Sequence, residues 1–371
     1  MVRFGDIAEN IAVRVKPSES DSDIYVGLEH LDPETLHLKK WGHPSDVEGD
    51  KLRFWKGDII FGRRRAYQRK LAIAEFDGIC SAHAMVLRAK PKNILPEFLP
   101  FFLHSDMFME RVIGISVGSL SPTINWKTLR EEEFSLPPLD EQKCIAEILW
   151  AADEAMERCG LTVCHLVMSM KAVFKSFVQA GNPRRMKISE VGEVITGSTP
   201  STKNSIFYSS NDFMFVSPAD INENKYVNNT DKMVSKDGFS VGRSIPKNSI
   251  MVVCIGSTTG KVAMASEQCI TNQQINSLIC NEQADPDFIY YLFNAMEKLF
   301  WSKASCTAVP ILNKTQFSNI YVDIPPIEMQ RAIMDKVRYF ERAEITISRY
   351  LNETRALVKR MLKEYIDNEQ S

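Results

Sequence analysis

The sequence has no run of eighteen or more apolar residues, and its first ten residues, MVRFGDIAEN, lack the apolar stretch of a signal peptide. We therefore expect neither a membrane span nor secretion, and place the protein in the cytoplasm. Its hydrophobic share of 44% and charged share of 25% are ordinary for globular proteins. Because 371 residues exceed the usual size of one hydrophobic core, at least two domains are expected.

Paired cysteine motifs are also missing. The chain has eight cysteines but no Cys-x-x-Cys pair, and the closest two are Cys159 and Cys164. Cys164 is followed by His165, on a segment expected to be helical. Zinc sites and disulfide frameworks show tighter and repeated spacings. We therefore expect no metal site, and free thiols that are buried.

The charges of the two signs are balanced. The formal net charge is −2, and acidic and basic residues are nearly equal in number within each half of the chain. A protein that coats nucleic acid without sequence preference would carry a large positive excess. Any nucleic-acid surface on this chain must therefore be local.

What the sequence does contain is a long internal repeat. Leu136-Pro-Pro-Leu-Asp-Glu-Gln142 returns as Ile324-Pro-Pro-Ile-Glu-Met-Gln330, displaced by 188 residues. At the same displacement Pro122-Thr-Ile-Asn125 lies over Pro310-Ile-Leu-Asn313, and further upstream the displacement drifts to 190 or 191. Such a repeat predicts two similar units, with any site present twice.

Within each half, short apolar segments between Gly, Asp and basic turns predict strands. In the first half these are 58–62, 71–74 and 84–87, and in the second 249–255, 262–264 and 275–279. A short helix with an early proline and acidic residues follows in each, near 96–109 and 286–299. The fold class predicted for each half is α/β (α+β) with a predominantly β core.

After each Pro-Pro motif the pattern changes to a heptad seam with spacings of four and three. No proline interrupts residues 139–182 or 327–371. Two long coiled-coil helices are therefore predicted, and each seam needs a partner, for which the other helix is the obvious candidate in an antiparallel pair. The first seam comprises Ile145, Leu149, Ala152, Met156, Cys159, Val163, Leu166, Met170, Val173 and Phe177, and the second Ile333, Val337, Phe340, Glu344, Ile347, Leu351, Thr354, Val358, Met361 and Tyr365.

These patterns divide the chain into four segments. Residues 1–138 and 183–326 form the two β-rich domains, and residues 139–182 and 327–371 form the two helices. A pair of long helices between two domains predicts a rigid spacer whose length sets the separation of whatever the domains bind.

A Pro-Pro-Leu-Asp-Glu-Gln motif that opens a heptad helix and returns after a second β-rich domain resembles the specificity subunit of type I restriction-modification systems. Lys187–Val191, Gly197–Pro200 and Phe215–Ile221 are similar to the opening of a target-recognition domain in that family. The first half, with Phe4–Ala8 and Tyr25–Leu31, lacks the Gly-x-Thr-Pro string. The two domains are therefore expected to recognise different sequences.

The resemblance implies that each domain reads one half of a bipartite, asymmetric double-stranded DNA target and that the helices set the spacing. It implies as partners two methyltransferase subunits, which endonuclease or translocase subunits can join. It also implies that S-adenosylmethionine is bound by the methyltransferase subunits, while this chain has no cofactor.

The sequence offers no catalytic motif of its own. A DNA methyltransferase is expected to have Asn/Asp-Pro-Pro-Tyr/Phe and a Gly-rich loop for the methyl donor, and neither is present. Gly256–Val262 looks superficially like a phosphate loop, but it is one residue short between its glycines and has Val262 where a hydroxyl is needed. A hairpin turn is the expected structure there, and the chain is expected not to be an enzyme.

DNA contacts are expected from loops between strands, where basic and amide side chains reach phosphates and base edges. The first half offers a strongly basic loop, although a solvated basic turn would have the same composition. Its candidate residues are Arg63, Arg64, Arg65, Tyr67, Gln68, Arg69 and Lys70, with Ser119, Ser121 and Lys127 at the rim.

The equivalent loop of the second half carries far less charge and would read DNA through hydroxyls, backbone and amides. Amides in such loops often only satisfy nearby backbone groups. The candidates are Ser257, Thr258, Thr259 and Lys261, then Asn272, Gln273 and Gln274, whose counterpart is Ser81–His83, with Lys303, Ser305, Asn313 and Lys314 at the rim.

Two other functions stay open at the level of sequence. Long heptads often serve only in protein interaction, so a coiled-coil scaffold whose domains bind protein is the alternative. A self-contained modification enzyme is the third option, and the missing motifs weigh against it.

Overall fold

The computed structural model of the chain describes residues 1–305 and 309–367. The residues fall into two compact units, the first formed by Met1–Leu161 and Ile347–Ser371 and the second by Thr162–Thr346. Each unit is thus built from one β-rich domain, the beginning of one long helix and the end of the other. The mixed α/β class with two repeated domains confirms the predicted fold.

The first unit contains two four-stranded sheets and one short strand pair. In spatial order, the first sheet is Ala8–Asn10, Ala84–Ala89, Ile59–Gly62 and Leu71–Ile73, and the second is Arg14–Val15, Lys51–Phe54, Gly78–Cys80 and Tyr25–Val26. The short pair joins Val2–Arg3 to Glu133–Phe134.

Helices of the first unit cover one face of the first sheet with a cluster of phenylalanines. Phe4, Phe61, Phe102, Phe108 and Phe134 are fully buried, with ring centroids 5.3 to 5.9 Å apart in the contacts between them. The α-helices that contribute to this unit, besides the long ones, are Phe4–Ile7, Leu99–His104, Asp106–Gly114 and Trp126–Leu129, and the 3₁₀ turns are Pro17–Glu19, Pro44–Asp46 and Ala66–Gln68.

The second unit repeats this plan. Its larger sheet is Gly192–Thr196, Ile275–Cys280, Ile250–Val253, Val262–Ala265 and Tyr226–Val227 in spatial order, and its smaller sheet is Met233–Val234, Phe213–Val216, Cys269–Thr271 and Ser244–Ile245. The short pair joins Arg184–Lys187 to Tyr321–Ile324. In both units an early strand runs parallel to a late one, Tyr25–Val26 beside Gly78–Cys80 and Phe213–Val216 beside Cys269–Thr271.

Its core is again aromatic: Phe288, Phe293, Phe300 and Phe317 are fully buried. The α-helices here are Ile188–Val191, Lys236–Val241, Pro286–Ala295, Glu297–Lys303 and Lys314–Ser318, and the 3₁₀ turns are Ser205–Tyr208 and Pro218–Asp220. The equivalent strand order and core positions follow from the sequence repeat.

The two long helices span Leu139–Ala180 and Ile327–Leu362. Every predicted seam position of the first helix is buried or half-buried, as are those of the second from Ile333 to Met361. In the second unit the end of the first helix lies beside the beginning of the second, because a Cβ on Gly181 would be 2.9 Å from Cγ of Met329. The two helices therefore run in opposite directions there.

The predicted seam fails at its last position. Tyr365 is exposed, while Leu362 and Ile366 are buried in the core of the first unit. The cause is a wider π-helical turn over Lys363–Asp367, which rotates the side chains out of heptad register.

The short helices predicted near 96–109 and 286–299 are each split in two. In the first unit Ser105 ends one helix and caps the next, since its Oγ accepts the backbone N–H of Phe108 at 3.2 Å. In the second, the break is at Met296. A capping serine inside an otherwise helical pattern is a competing signal that apolar periodicity does not register.

The expectation that the thiols are buried is correct for some cysteines only. Cys80, Cys254 and Cys269 are buried, and burial raises the pKa of Cys254 and of Cys269 to about 12. Cys144 and Cys164 are exposed on the first long helix, because both lie off its seam. Cys306 lies outside the described residues.

By length and composition the first long helix could cross a membrane, and it is the one helix in the described ranges that could. Composition alone is weak evidence, because core helices of soluble proteins have the same property. Here Ile145 and Leu149 pack into the core of the first unit, and Met170 and Phe174 into that of the second.

The glutamine that closes each Pro-Pro motif is fully buried and hydrogen-bonds three backbone groups on two segments. The Gln142 amide oxygen accepts the N–H of Leu95 at 2.9 Å, and its nitrogen donates to the carbonyls of Asn93 at 3.0 Å and Pro137 at 2.9 Å. Gln330 does the same with Asp285 N–H and with the carbonyls of Gln283 and Pro325. The motif therefore ties the start of each long helix to the loop that precedes the domain's own helices.

Replacing Gln142 with leucine keeps its size but leaves three backbone groups, one buried and two partly buried, without these partners. Since an unpaired buried group costs about 1–3 kcal/mol and water can reach the partly buried ones, we expect Gln142→Leu to lower the unfolding free energy of the first unit by about 1–3 kcal/mol. Urea unfolding followed by tryptophan fluorescence measures this, because four of the five tryptophans lie in residues 1–161. Lys143→Ala, at the exposed neighbouring position, is the control. Equal stability of the two variants would contradict the assigned role.

Candidate nucleic-acid interface

The basic loop of the first unit is the hairpin between two antiparallel strands, Ile59–Gly62 and Leu71–Ile73. Within it a 3₁₀ turn over Ala66–Gln68 is bounded by Arg65 and Arg69, both in the left-handed region with φ of 56° and 53°. The Tyr67 side chain is 54% exposed on this turn. Basic and aromatic groups are thus displayed at one end of the sheet.

A second loop, residues 117–123, is hydrogen-bonded to this hairpin at its C-terminal end. The Arg65 N–H donates to the Pro122 carbonyl at 2.7 Å, and the Ile124 N–H donates to the Arg63 carbonyl at 3.0 Å. The Arg64 and Arg65 guanidinium groups both donate to Ser121 Oγ, at 3.4 and 3.3 Å. The tertiary structure therefore brings together the arginines and the exposed loop that carries Ser119 and Ser121.

His83 lies at the same place, with its Nε2 3.4 Å from Arg64 Nη1. Partial burial lowers the pKa of His83, and the charges of Arg64, Arg63 and Lys51 lower it further. A neutral imidazole beside arginines can donate or accept a hydrogen bond, as recognition of a base edge requires. Nε of Arg63 is buried and has no hydrogen-bond partner in the part of the chain that the structure describes.

Three predicted residues are positioned differently. Arg69 forms an ion pair with Asp106, at the start of the helix Asp106–Gly114, and Lys70 Nζ donates to the Leu28 carbonyl at 2.8 Å. Both cations therefore have a hydrogen-bond or ion-pair partner within the first unit. Lys127 is exposed on the short helix Trp126–Leu129, directly after the second loop. Their contact with DNA stays a prediction.

The equivalent loop of the second unit is the hairpin between Ile250–Val253 and Val262–Ala265, which confirms a hairpin in place of a phosphate loop. Thr259 is buried and its Oγ1 donates to the Gly256 carbonyl at 2.7 Å, so its hydroxyl closes the turn. Ser257 is exposed, whereas Thr258 and Lys261 are half-buried. This hairpin displays hydroxyls where the first displays guanidinium groups.

The second hairpin has the same hydrogen-bonded neighbour as the first. The Gly256 N–H donates to the Pro310 carbonyl at 3.1 Å, and the Leu312 N–H to the Cys254 carbonyl at 2.8 Å. These bonds occupy positions equivalent to those of Arg65 with Pro122 and of Ile124 with Arg63. Two predicted rim lysines flank this segment, Lys303 at the end of the helix Glu297–Lys303 and Lys314 at the start of Lys314–Ser318, and both are exposed.

The amide cluster joins the second hairpin through the Cys254 N–H, which donates to the Gln274 carbonyl at 2.7 Å. Asn272 and Gln274 hydrogen-bond each other's side chains at 3.0 Å, and Asn272 Oδ1 also accepts the Gln274 N–H. The exposed Gln273 amide oxygen accepts from Thr199 Oγ1 at 2.7 Å. Gln273 is therefore the most available of the three amides.

Sequence reasoning did not single out Arg243. Its backbone N–H donates to Ser198 Oγ and its guanidinium to the Thr196 carbonyl, both at 3.0 Å. This exposed cation thus borders the strand and loop that carry Thr199, the partner of Gln273. An isolated arginine after a glycine has no sequence signal of its own, because only the fold brings residue 243 beside residues 196–198.

The chemistry of these surfaces is recognition by hydrogen bonds and charge. Across residues 1–305 and 309–367, no group of three or more His, Cys, Asp or Glu could hold a metal ion.

Comparisons with known proteins all point to the same family. A family model described as the type I restriction modification DNA specificity domain matches residues 35–161 and 184–354. The chain is 24% identical to the Type I restriction enzyme HindI specificity subunit of Haemophilus influenzae, over 90% of this chain and 91% of that protein. A shorter match, 29% identical over 42% of this chain and 36% of the relative, is to the EcoDI specificity subunit of Escherichia coli.

Solved structures share the fold. A chain from a study of complex assembly and conformational transition of the type I R-M system has a TM-score of 0.57 at 20% identity, over 99% of this chain and 96% of that one. The type I restriction-modification S subunit from M. genitalium also gives 0.57, at 14% identity over 98% and 95% of the two chains. Because the family model covers both repeats, the chain belongs to the family of type I restriction-modification DNA specificity domains.

Proposed function

We propose that the chain is the non-catalytic subunit that gives DNA sequence specificity to a type I restriction-modification complex. Each domain reads one half of a bipartite, asymmetric target. The observation that carries this function is that an equivalent hairpin and neighbouring loop recur in both units with different side chains. Arg63–Arg65 occupy the first, and Cys254–Gly256 with Ser257 the second.

The chemistry of the two hairpins fits different half-sites. In the first unit, the arginines suit phosphates and the O6/N7 edge of guanine, and Tyr67 and Gln68 add a stacking plane and an amide. In the second unit, the exposed Gln273 suits the N6/N7 edge of adenine, and Ser257 adds a hydroxyl. A target read by two such surfaces is asymmetric.

The long helices set the spacing between the half-sites and bind two methyltransferase subunits. Supporting this, they carry large apolar side chains that are exposed in the isolated chain, including Leu161 and Met168 on the first helix and Tyr339 and Ile345 on the second. Leu161 and Met168, which are seven residues apart on the first helix, would be buried if a partner subunit covered it. The methyltransferase subunits bind S-adenosylmethionine, and the complex acts in the cytoplasm, with or without endonuclease subunits.

Mapping methylated adenines across the genome, in cells with and without this gene, tests the function. We expect methylation at an interrupted, asymmetric sequence that disappears when the gene is deleted. A coiled-coil scaffold without DNA recognition predicts identical methylation in both strains. Methyl transfer by the isolated chain would instead establish a self-contained modification enzyme.

The arginine hairpin can be tested directly on the mapped target. Replacing Arg63, Arg64 and Arg65 together with alanine is expected to abolish binding through the first unit. It should also flatten the dependence of log affinity on log salt concentration by roughly 0.9 for each phosphate that the protein no longer neutralises. Arg14→Ala, an exposed arginine elsewhere in the same unit, is the control and should change neither. Unchanged affinity of the triple variant across salt concentrations would reject the assignment.

The spacer role predicts a change in target spacing. Seven residues inserted after Leu161 and seven before Ile347, at the boundaries of the two units, preserve the heptad register and lengthen each helix by about 10 Å. At about 3.4 Å per base pair, the unread gap should grow by about three base pairs. Methylation mapping with the variant measures the gap. An unchanged gap would exclude the helices as the spacer, and inserting into one helix alone is the mismatched control.

A further inference from the structure

In the first unit a histidine connects the recognition domain to the long helix. His37 lies next to Ile73 in the first sheet of this unit, and its Nε2 is 2.7 Å from Asp153 Oδ2 on the helix Leu139–Ala180. Its Nδ1 is 2.6 Å from Glu75 Oε1. The Asp153 side chain is only 10% exposed, so its charge depends on this imidazole for compensation.

Neighbouring residues of the same segment contact the helix one turn further on, at Glu157. Lys39 Nζ lies 2.8 Å from Glu157 Oε1, and Thr35 Oγ1 donates to the same oxygen at 3.2 Å. The contacts of His37 and Lys39 together fix residues 35–39 along the helix.

The second unit has the same contact at equivalent positions. Lys225 and Glu341 are each 188 residues after His37 and Asp153, which is the displacement of the repeat. Lys225 Nζ is 3.1 Å from Glu341 Oε1 and 3.0 Å from Asp287 Oδ1. Here too a cation on the sheet edge lies between a carboxylate on the long helix and a second carboxylate of the domain.

The surroundings of Lys225 reinforce the contact. The Tyr291 hydroxyl donates to Glu341 Oε1, and Lys225 Nζ lies 5.2 Å from the centroid of the Tyr291 ring. Cation–π contacts with Tyr226 and Tyr290 have distances of 5.7 and 5.6 Å. The geometry of the second contact therefore depends on a permanently charged ammonium group within an aromatic cage.

We propose that His37–Asp153 and Lys225–Glu341 are equivalent positioning contacts, each holding a recognition domain on the part of the long helix in its own unit, and that only the first is released as pH rises. The contact in the first unit needs an imidazolium, because a neutral imidazole has one N–H and cannot donate to both Glu75 and Asp153. Its deprotonation leaves a nearly buried carboxylate without its cation. Lysine keeps its charge over the same range.

The direction of the pH effect follows from the surroundings of His37. Burial acts to lower the pKa of His37, but hydrogen bonds and charges of Glu75 and Asp153 outweigh it and raise that pKa above its usual value. A raised pKa in the folded protein means that the stabilisation is complete at pH 6 and is lost as pH rises through the raised value. Burial also acts to lower the pKa of Lys225, and Asp287 and Glu341 raise it.

The charged groups around His37 come from three elements. Lys39 is on its own segment, Glu75 follows the strand Leu71–Ile73, and Asp153 and Glu157 are on the long helix. His37, Glu75, Asp153 and Glu157 line one pocket, and the other charged side chains that line it are Lys39, Glu97, Lys143, Glu147 and Glu154. Histidine is the side-chain type among these whose charge ordinarily changes between pH 6 and 8.5.

Hydrogen–deuterium exchange of the full chain without DNA tests this inference independently of the proposed function. After correction for the intrinsic pH dependence of amide exchange, protection of residues 34–41 should fall between pH 6 and 8.5, by up to roughly tenfold per pH unit between the ordinary pKa of histidine and the raised pKa of His37, and should level off above it. Protection of residues 222–228 should stay constant. If both segments respond alike, or neither responds, the inference is wrong.

Exchanging the two cations provides matched variants. His37→Lys should remove the pH dependence from residues 34–41, and Lys225→His should transfer it to residues 222–228. If Lys225→His does not fold, Asp153→Asn is the second variant, and NMR titration should then show the pKa of His37 moving down towards its ordinary value. A pH response that survives in His37→Lys, or a His37 pKa unchanged by Asp153→Asn, would overturn the assignment.

Discussion

The buried glutamine at the start of each long helix is the constraint on which the rest of the structure depends. Gln142 and Gln330 are buried, and each bonds one donor and two acceptors of the backbone. Because one amide satisfies all three at once, it ties the start of each long helix to the loop before the domain's own helices. The two adjacent prolines remove backbone donors that would need partners in this crowded place.

The candidate recognition surfaces of the two units are built on equivalent backbone hydrogen bonds. In each unit two backbone hydrogen bonds join a hairpin to a loop later in the chain. The hairpin residues that form them are Arg63 and Arg65 in the first unit, and Cys254 and Gly256 in the second. Backbone bonds of this kind do not depend on side-chain identity. The side chains are consequently free to differ, which is how one architecture can present guanidinium groups in one unit and hydroxyls and amides in the other.

Much of the fold could be predicted because its signals are local or repeated. The heptad seam, the sheet hairpins and the repeated motif all appear in the structure near their expected positions. The failures have local physical causes that periodicity does not contain. Ser105 competes as a cap inside an apolar helical pattern, and a π turn at Lys363–Asp367 shifts the seam so that Ile366 replaces Tyr365 in the core. The predicted DNA contacts themselves remain predictions.

The sequence by itself determined the duplication, the helix register and the chemical difference between the two hairpins, because these depend on residue order and spacing alone. Only the tertiary structure decided which candidates face outward together. Folding places Ser121 against Arg64 and Arg65, diverts Arg69 to Asp106, and brings Arg243 beside Ser198. It also pairs His37 with Asp153, 116 residues away. Such contacts join segments far apart in the chain, and their partners are chosen by packing of the whole unit and not by any local pattern.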